Sequence, residues 1–304
     1  MALSQSLSEA LRNLSNLDLS VSTHDDVEPL FDKIGQMVLL EIPIAVNTII
    51  ARTRCELAFD NIYYEKDISF IADPARVRAA RANIENMPTF YGAILMKDDK
   101  SATQTQAVCY SETSKIFLDD TVVEGAEYAT TGFWNVVKPF KAIALVHHND
   151  FNQSHPEMLK ARKVYNDFIN QMERSENIMY TPEDFIGLMD FMSNQFARPV
   201  PYDKPYLYSL SNYFAAAAFN SGYDAIVFPS VKAEGSGLNI AMTPKATQEY
   251  LQLERVLVNK VIKRGKHSVA DHYLICDEFQ ADGRFIWKEL PPTGAVRINA
   301  ILGK

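Results

Sequence analysis

Cysteine is scarce in this chain. Its 304 residues include three, Cys55, Cys109 and Cys276, too few and too dispersed for a disulfide framework or a zinc finger. They are expected as free, mostly buried thiols. Basic charge is also short. The 30 Lys and Arg against 38 Asp and Glu leave a net charge of -8. No clustered basic surface of the kind a nucleic-acid track needs is evident, so nucleic acid is not an expected partner. A local basic pocket for one small anion is still allowed. Long apolar runs are missing too: FAAAAF at 214–219 is far below a bilayer span. The opening MALSQSLSEALRNL has no basic start followed by an apolar core, so it does not read as a secretory leader. The expectation is a soluble cytoplasmic protein with no membrane partner. The GxGxxG of a hydride-transferring dinucleotide site and a Walker loop are both absent.

What is present is ordinary globular material. Hydrophobic residues make up 47% and charged residues 22%, and the length suits one large domain or two smaller ones. Residues 1–46 read as an N-terminal helical extension. A short helix runs through SEALRNL. A second follows His24, Asp25 and Asp26, with Leu30, Ile34, Val38 and Leu39 as its apolar face and Pro29 admitted only in its first turn.

From residue 47 the pattern turns to strands. AVNTIIARTR is rich in β-branched residues and ends on Arg52 and Arg54, which alternation puts on one face. PTFYGAIL and FKAIALVHH read as further strands, and TQAVCYSETSKIF between them as a helix carrying Glu112. Residues 154–220 form a helical insertion of three periodic segments. YDAIVFPSV and LNIAMT return to strand. A long helix is expected over 243–264, and HYLICDEF and GRFIWKEL close the chain as strands. Helices, strands, helices and strands in that order, without strict βαβ alternation, give an α+β class.

His147, His148, Asp150 and His155 lie close together in HHNDFNQSH, but their spacing fits no zinc pattern and they fall at a strand-to-helix junction. No metal is expected. His267 and His272 read as strand-edge residues. The stretch YDAIVFPSVKAEGSGLNIAM carries more. It reads as a strand, a Pro break, Ser230, a glycine-rich turn and a second strand, with Gly235 and Gly237 free to adopt unusual backbone angles or admit close approach.

Taken with RANIENMPTFYGA at 81–93, YSET at 110–113 and ARTR at 51–54, this stretch resembles the RES-domain family, named for its Arg, Glu and Ser. The resemblance spans roughly residues 47–290. Arg81 precedes Tyr91 by ten residues and Glu112 follows Tyr91 by 21, gaps that suit the family's layout. Ala80 stands where the family usually has Gly, and Lys232 where it often has Arg. The segment between Glu112 and Ser230 is longer than in the compact members. The resemblance implies an ADP-ribosyltransferase-like core over 47–304, with the insertion within it. It also implies consumption of NAD as substrate, with no further cofactor. Many members are toxins of toxin–antitoxin pairs, which would add inorganic phosphate and an antitoxin protein as partners. Carried over by position, Arg81, Tyr91, Glu112 and Ser230 take the family's Arg, Tyr, Glu and Ser.

The residue types suit that chemistry. Losing neutral nicotinamide leaves positive charge on the ribose, which a carboxylate such as Glu112 can stabilise while accepting a ribose hydroxyl hydrogen bond. Arg81 offers planar bidentate contacts to a pyrophosphate, with Arg52 and Arg54 as supporting cations. Tyr91 offers a ring face to the cationic nicotinamide and a hydroxyl for ribose or amide. Ser230 is expected either to hydrogen-bond the substrate or to orient Glu112, since no base is tied to it as to a nucleophile. Two other functions use the same residues: transfer of ADP-ribose to a macromolecule, and nucleotide sensing by a catalytically weak interaction protein.

Overall fold

The computed structural model describes residues 5–35, 38–59, 62–95, 103–118, 121–145, 156–174, 181–201, 203–233, 237–265, 267–291 and 296–297. It is a mixed α+β fold. The histidine-rich stretch with His147, His148, Asp150 and His155 lies outside these residues, as does Gly235. Among the described residues no helix is long and apolar enough to cross a membrane.

The chain opens with helices α1 (Gln5–Ser15) and α2 (His24–Asp32). Asp26 holds the start of α2 by accepting the Thr23 N–H at 2.8 Å. Pro29 lies inside α2 and not in its first turn, which corrects the expectation. The bond it forgoes is to the carbonyl of Asp25; both residues are exposed, so water can serve that carbonyl. Leu30, Ile34, Val38 and Leu39 do pack on the core, but the last three lie beyond the end of α2, whose buried residues are Val27 and Phe31. Leu7, Leu14, Val27 and Phe31 join the same core as the sheet. The stretch to residue 46 is not wholly helical either, because it ends in strand β1 (Glu41–Ile44).

The following elements are β2 (Ile49–Glu56), α3 (Glu65–Ile68), β3 (Phe90–Ile94), α4 (Thr103–Thr113), α5 (Lys115–Leu118), β4 (Glu124–Val136) and β5 (Phe140–Ala144). The insertion is built of α6 (Pro156–Met172), α7 (Pro182–Ala197) and α8 (Ser209–Asn220). Its aromatic residues interlock. Phe185 packs on Tyr165 and Phe168, and Phe196 bridges Phe214 and Phe228. Strands β6 (Ala225–Pro229) and β7 (Leu238–Met242) lead to α9 (Pro244–Tyr250), β8 (Leu251–Arg264), β9 (His267–Cys276), β10 (Lys288–Glu289) and β11 (Val296–Arg297).

The helix expected over 243–264 is therefore a capped helix of seven residues, about two turns, followed by a strand. Thr243 accepts from the Ala246 N–H at 3.1 Å to start α9. From Leu251 the burial alternates, with Leu251 and Leu253 inside and Gln252 and Glu254 outside. Val256, Val258, Val261 and Ile262 then favour the pleat. Pairing with β4 on one side and β9 on the other decides the outcome. GRFIWKEL supplies only the short β10. His267 opens β9, and His272 stands opposite Asn259 within it.

Among the described residues eleven strands form one sheet in the order β1-β5-β6-β7-β3-β2-β4-β8-β9-β10, with β11 also paired to β9. The β5–β6 pair is parallel, and the other strand pairs are antiparallel. The middle of the sheet is unevenly joined. Strand β2 matches β4 over eight residue pairs but β3 over only two, Ile50 with Ile94 and Ala51 with Ala93. Beyond that point β3 stays with β7, and residues 52–56 of β2 diverge from it.

Candidate active site

The divergence of β2 and β3 opens a cleft of about 450 Å³, within the range of small-ligand cavities. Gly92 stands where the strands part. A Cβ there would lie 2.5 Å from Ile50 Cγ2 and 2.9 Å from the Ala51 carbonyl, so any side chain would force the strands apart at their last point of contact. Arg52, Arg54, Arg81, Tyr91, Glu112 and Asn239 all line the cleft.

Glu112 is carried by α4, which packs across β2 and β3 and meets the chain that leads into β7. A Cβ on Gly237 would lie 2.6 Å from Val108 Cγ2, so glycine lets the helix rest directly on the backbone just before β7. One helical turn further is Glu112, and two residues further along the strand is Asn239. These steps nearly match, at about 6 Å for four helical residues and about 6.6 Å for two strand residues. Asn239 Nδ2 accordingly donates to Glu112 Oε1 at 3.1 Å. Ser230 Oγ donates to the same oxygen at 2.6 Å. Among the described residues Glu112 Oε2 has no hydrogen-bond partner, and it is the oxygen left for a ligand. The other side of α4 is tied down by a buried polar group. Asn259 Nδ2 donates to Gln106 Oε1 at 2.8 Å, and Tyr110 Oη donates to the same Gln106 oxygen at 3.0 Å.

The cleft also carries cationic side chains. Arg52 and Arg54 share one face of β2, as alternation requires. Arg52 Nε and Arg54 Nη2 both donate to the Ser69 carbonyl, at 3.1 and 2.8 Å, and Arg52 Nη1 donates to the Tyr91 carbonyl at 2.7 Å. Burial, and secondarily the Arg54 charge, depress Arg52 to about 9, which leaves it charged at neutral pH. Burial likewise lowers Arg54, and its Nε is buried without a partner. Arg81 donates from Nη1 to the Phe196 carbonyl at 2.5 Å and the Arg198 carbonyl at 3.1 Å, so it caps the C-terminal end of α7. Among the described residues none of the three arginines is ion-paired with a carboxylate.

One expected role changes, that of the Tyr91 hydroxyl, and one of the two open to Ser230 is selected. The Tyr91 hydroxyl accepts from the Ala82 N–H at 2.5 Å and donates to Asn83 Oδ1 at 2.8 Å. It therefore braces the turn that carries Arg81 and is not free to orient a ribose or amide; its ring still lines the cleft. Ser230 is fully buried behind Glu112. Its proton goes to Glu112, and its oxygen accepts from the Ala233 N–H at 3.2 Å. That leaves orientation of Glu112 as its role and removes it from the substrate-contacting wall. Arg81 keeps its place in the cleft, but one nitrogen belongs to the helical insertion.

Asn239, Asn83 and Tyr208 were not singled out by sequence reasoning. Asn239 and Asn83 sit inside the stretches GSGLNIA and RAN, so position within a motif was the available signal. Tyr208 lies in the insertion and had none. The three cysteines are free thiols. Burial pushes the Cys109 thiol up to about 12 and raises Cys55 further, so neither is a ready nucleophile. Comparison of the chain with protein-family models gives no match, and a search of curated proteins gives none either.

Proposed function

We propose that the chain is an NAD-consuming enzyme that breaks the bond between nicotinamide and ribose, with water or phosphate as acceptor. The observation that carries this reading is the separation of charge in one cleft. Among the described residues three arginines of the cleft have no carboxylate partner, and the carboxylate that lines the same cleft, Glu112, keeps one oxygen without a hydrogen-bond partner. A dinucleotide has the matching parts: a diphosphate for the arginines and a ribose that turns cationic as its base departs. As the C1′–N bond breaks, its electron pair leaves with the nicotinamide nitrogen. Glu112 Oε2 stabilises the oxocarbenium-like ribose. The acceptor then adds at C1′ and gives up its proton.

The RES-domain resemblance supports the same reading, and with it an ADP-ribosyltransferase-like core formed around the splayed strands. The free thiols suit a reducing compartment, so the reading is of a cytoplasmic enzyme. The test is incubation of purified protein with NAD, with and without phosphate, and identification of products by mass. Nicotinamide with ADP-ribose or its 1″-phosphate is expected. Label moving to a macromolecule would make the enzyme a transferase. Absence of both turnover and NAD binding would sink the proposal.

A further inference from the structure

The helical insertion contributes a side chain to the cleft. Tyr208 ends the 3₁₀ turn Pro205–Tyr208 at the head of α8, and it lines the same cavity as Arg52 and Glu112. The Arg81 guanidinium lies 5.1 Å from its ring centre. Arg81 is itself held by the carbonyls at the end of α7, so two segments of the insertion fix this corner together. The phenol stands where charges of both signs reach it, the Arg81 cation and the Glu112 carboxylate. Burial raises its pKa, which keeps it a neutral donor at working pH. Arg81 has only hydrogens to offer it, and among the described residues no acceptor takes the Tyr208 proton. The neighbouring tyrosine of the cleft differs on this point, because Tyr91 gives its proton to Asn83.

We propose that Tyr208 is a substrate-binding residue whose hydroxyl donates a hydrogen bond to an oxygen of the ribose–diphosphate unit lying between Arg81 and Glu112. This rests on the NAD reading given above. It makes the insertion a wall of the site, and it explains why a tyrosine, and not merely an aromatic platform for Arg81, occupies the position.

Tyr208→Phe keeps the ring beside Arg81 and removes only the hydroxyl. ADP-ribose binding by calorimetry, NAD kinetics and thermal melting are measured on wild type and on the full-length variant. The expected result is an affinity for ADP-ribose lower by about tenfold, a matching rise in KM and an unchanged Tm. Tyr208→Ala, which also removes the ring, is expected to lose more affinity and to lower Tm. Equal affinity in wild type and Tyr208→Phe, with both turning over NAD, would overturn the role of Tyr208 and leave the NAD reading standing. Loss of affinity together with a Tm several degrees lower would assign the hydroxyl to packing and also overturn it. A wild type that binds neither ADP-ribose nor NAD would remove both proposals.

Discussion

Glu112→Gln separates the two duties of this side chain. Oε1 receives hydrogens from Ser230 at 2.6 Å and Asn239 at 3.1 Å, and an amide oxygen accepts both as a carboxylate does. Only the outward oxygen is exchanged for NH₂. The variant should therefore keep its fold and its affinity while losing the negative charge. The size of the loss follows from Coulomb's law. A carboxylate about 4 Å from a full positive charge, at an effective dielectric of about 20, is worth ~4 kcal/mol, and a half-developed charge about 2 kcal/mol. At ~1.4 kcal/mol per tenfold, kcat should fall by about 30-fold to about 1,000-fold. The assay is nicotinamide release at saturating NAD, with KM, ADP-ribose affinity and Tm measured alongside. KM, affinity and Tm should stay nearly constant. A kcat within about threefold of wild type would refute the electrostatic role, given that ~2 kcal/mol is the smaller of the two figures.

Ser230→Ala and Asn239→Ala each remove one of the two donors on Glu112 Oε1, and each should lower kcat about tenfold with less change in KM. Because both bonds end on one atom, the double variant should lose less than the product, which a double-mutant cycle on kcat reads directly. Gly237→Ala puts a methyl 2.6 Å from Val108 Cγ2. It should cost about 1–3 kcal/mol and lower kcat by pushing α4 away from the backbone that leads into β7; adding Val108→Ala should restore most of both in melting and turnover measurements. Arg54→Met removes a half-buried cation whose Nε has no partner among the described residues. Tm should hold or rise, while KM for NAD rises about tenfold and its salt dependence weakens; a lower Tm with unchanged KM would count against an anion site. Burial lifts the Glu127 carboxyl above its ordinary 4.5, so its contribution to stability is complete below that pH and is lost as pH rises through the raised value. Melting Glu127→Gln beside wild type should show an advantage for the variant that grows from about pH 4.5 upward, and a constant difference across that range would contradict it.

The strands legible in the sequence were those with a local signature. β2, β3, β6 and β7 are short apolar or β-branched runs closed by turn residues, and both arginines of β2 fell on the face that alternation gave them. Strand β4 had no such signature. Gly125, Ala126, Ala129 and Gly132 dilute its pattern, and it is a strand because β2 and β8 pair with it along its length. Strand β8 was misread for the same reason. The spacing of its apolar residues suits a helix face as well as a strand, and only two waiting neighbours in the sheet decide between them. Strand β1 was hidden behind two helices and depends on its partner β5.

The site divides along a similar line. Residue type shows what a group can do, but which of its hydrogens are already engaged depends on contacts far along the chain. Ser230 meets Glu112 across 118 residues, Asn239 across 127, and Arg81 meets the Phe196 carbonyl across 115. Those contacts make the Tyr91 hydroxyl a brace, select orientation of Glu112 as the duty of Ser230, and bring Tyr208 into the cleft. They also explain why opposite charges in one cavity do not cancel. If Glu112 were free to swing, pairing with Arg52 or Arg81 would be its easiest neutralisation, and the cleft would close into a buried salt bridge. Two donors on Oε1 hold the carboxylate to β7, carbonyls hold the arginines to the loop at Ser69 and to the end of α7, and the parting of β2 from β3 keeps the two walls separate. The charge separation is therefore built by the sheet and the insertion together, and on the proposed reading a ligand carrying a diphosphate at one end and a cationic ring at the other would complete it.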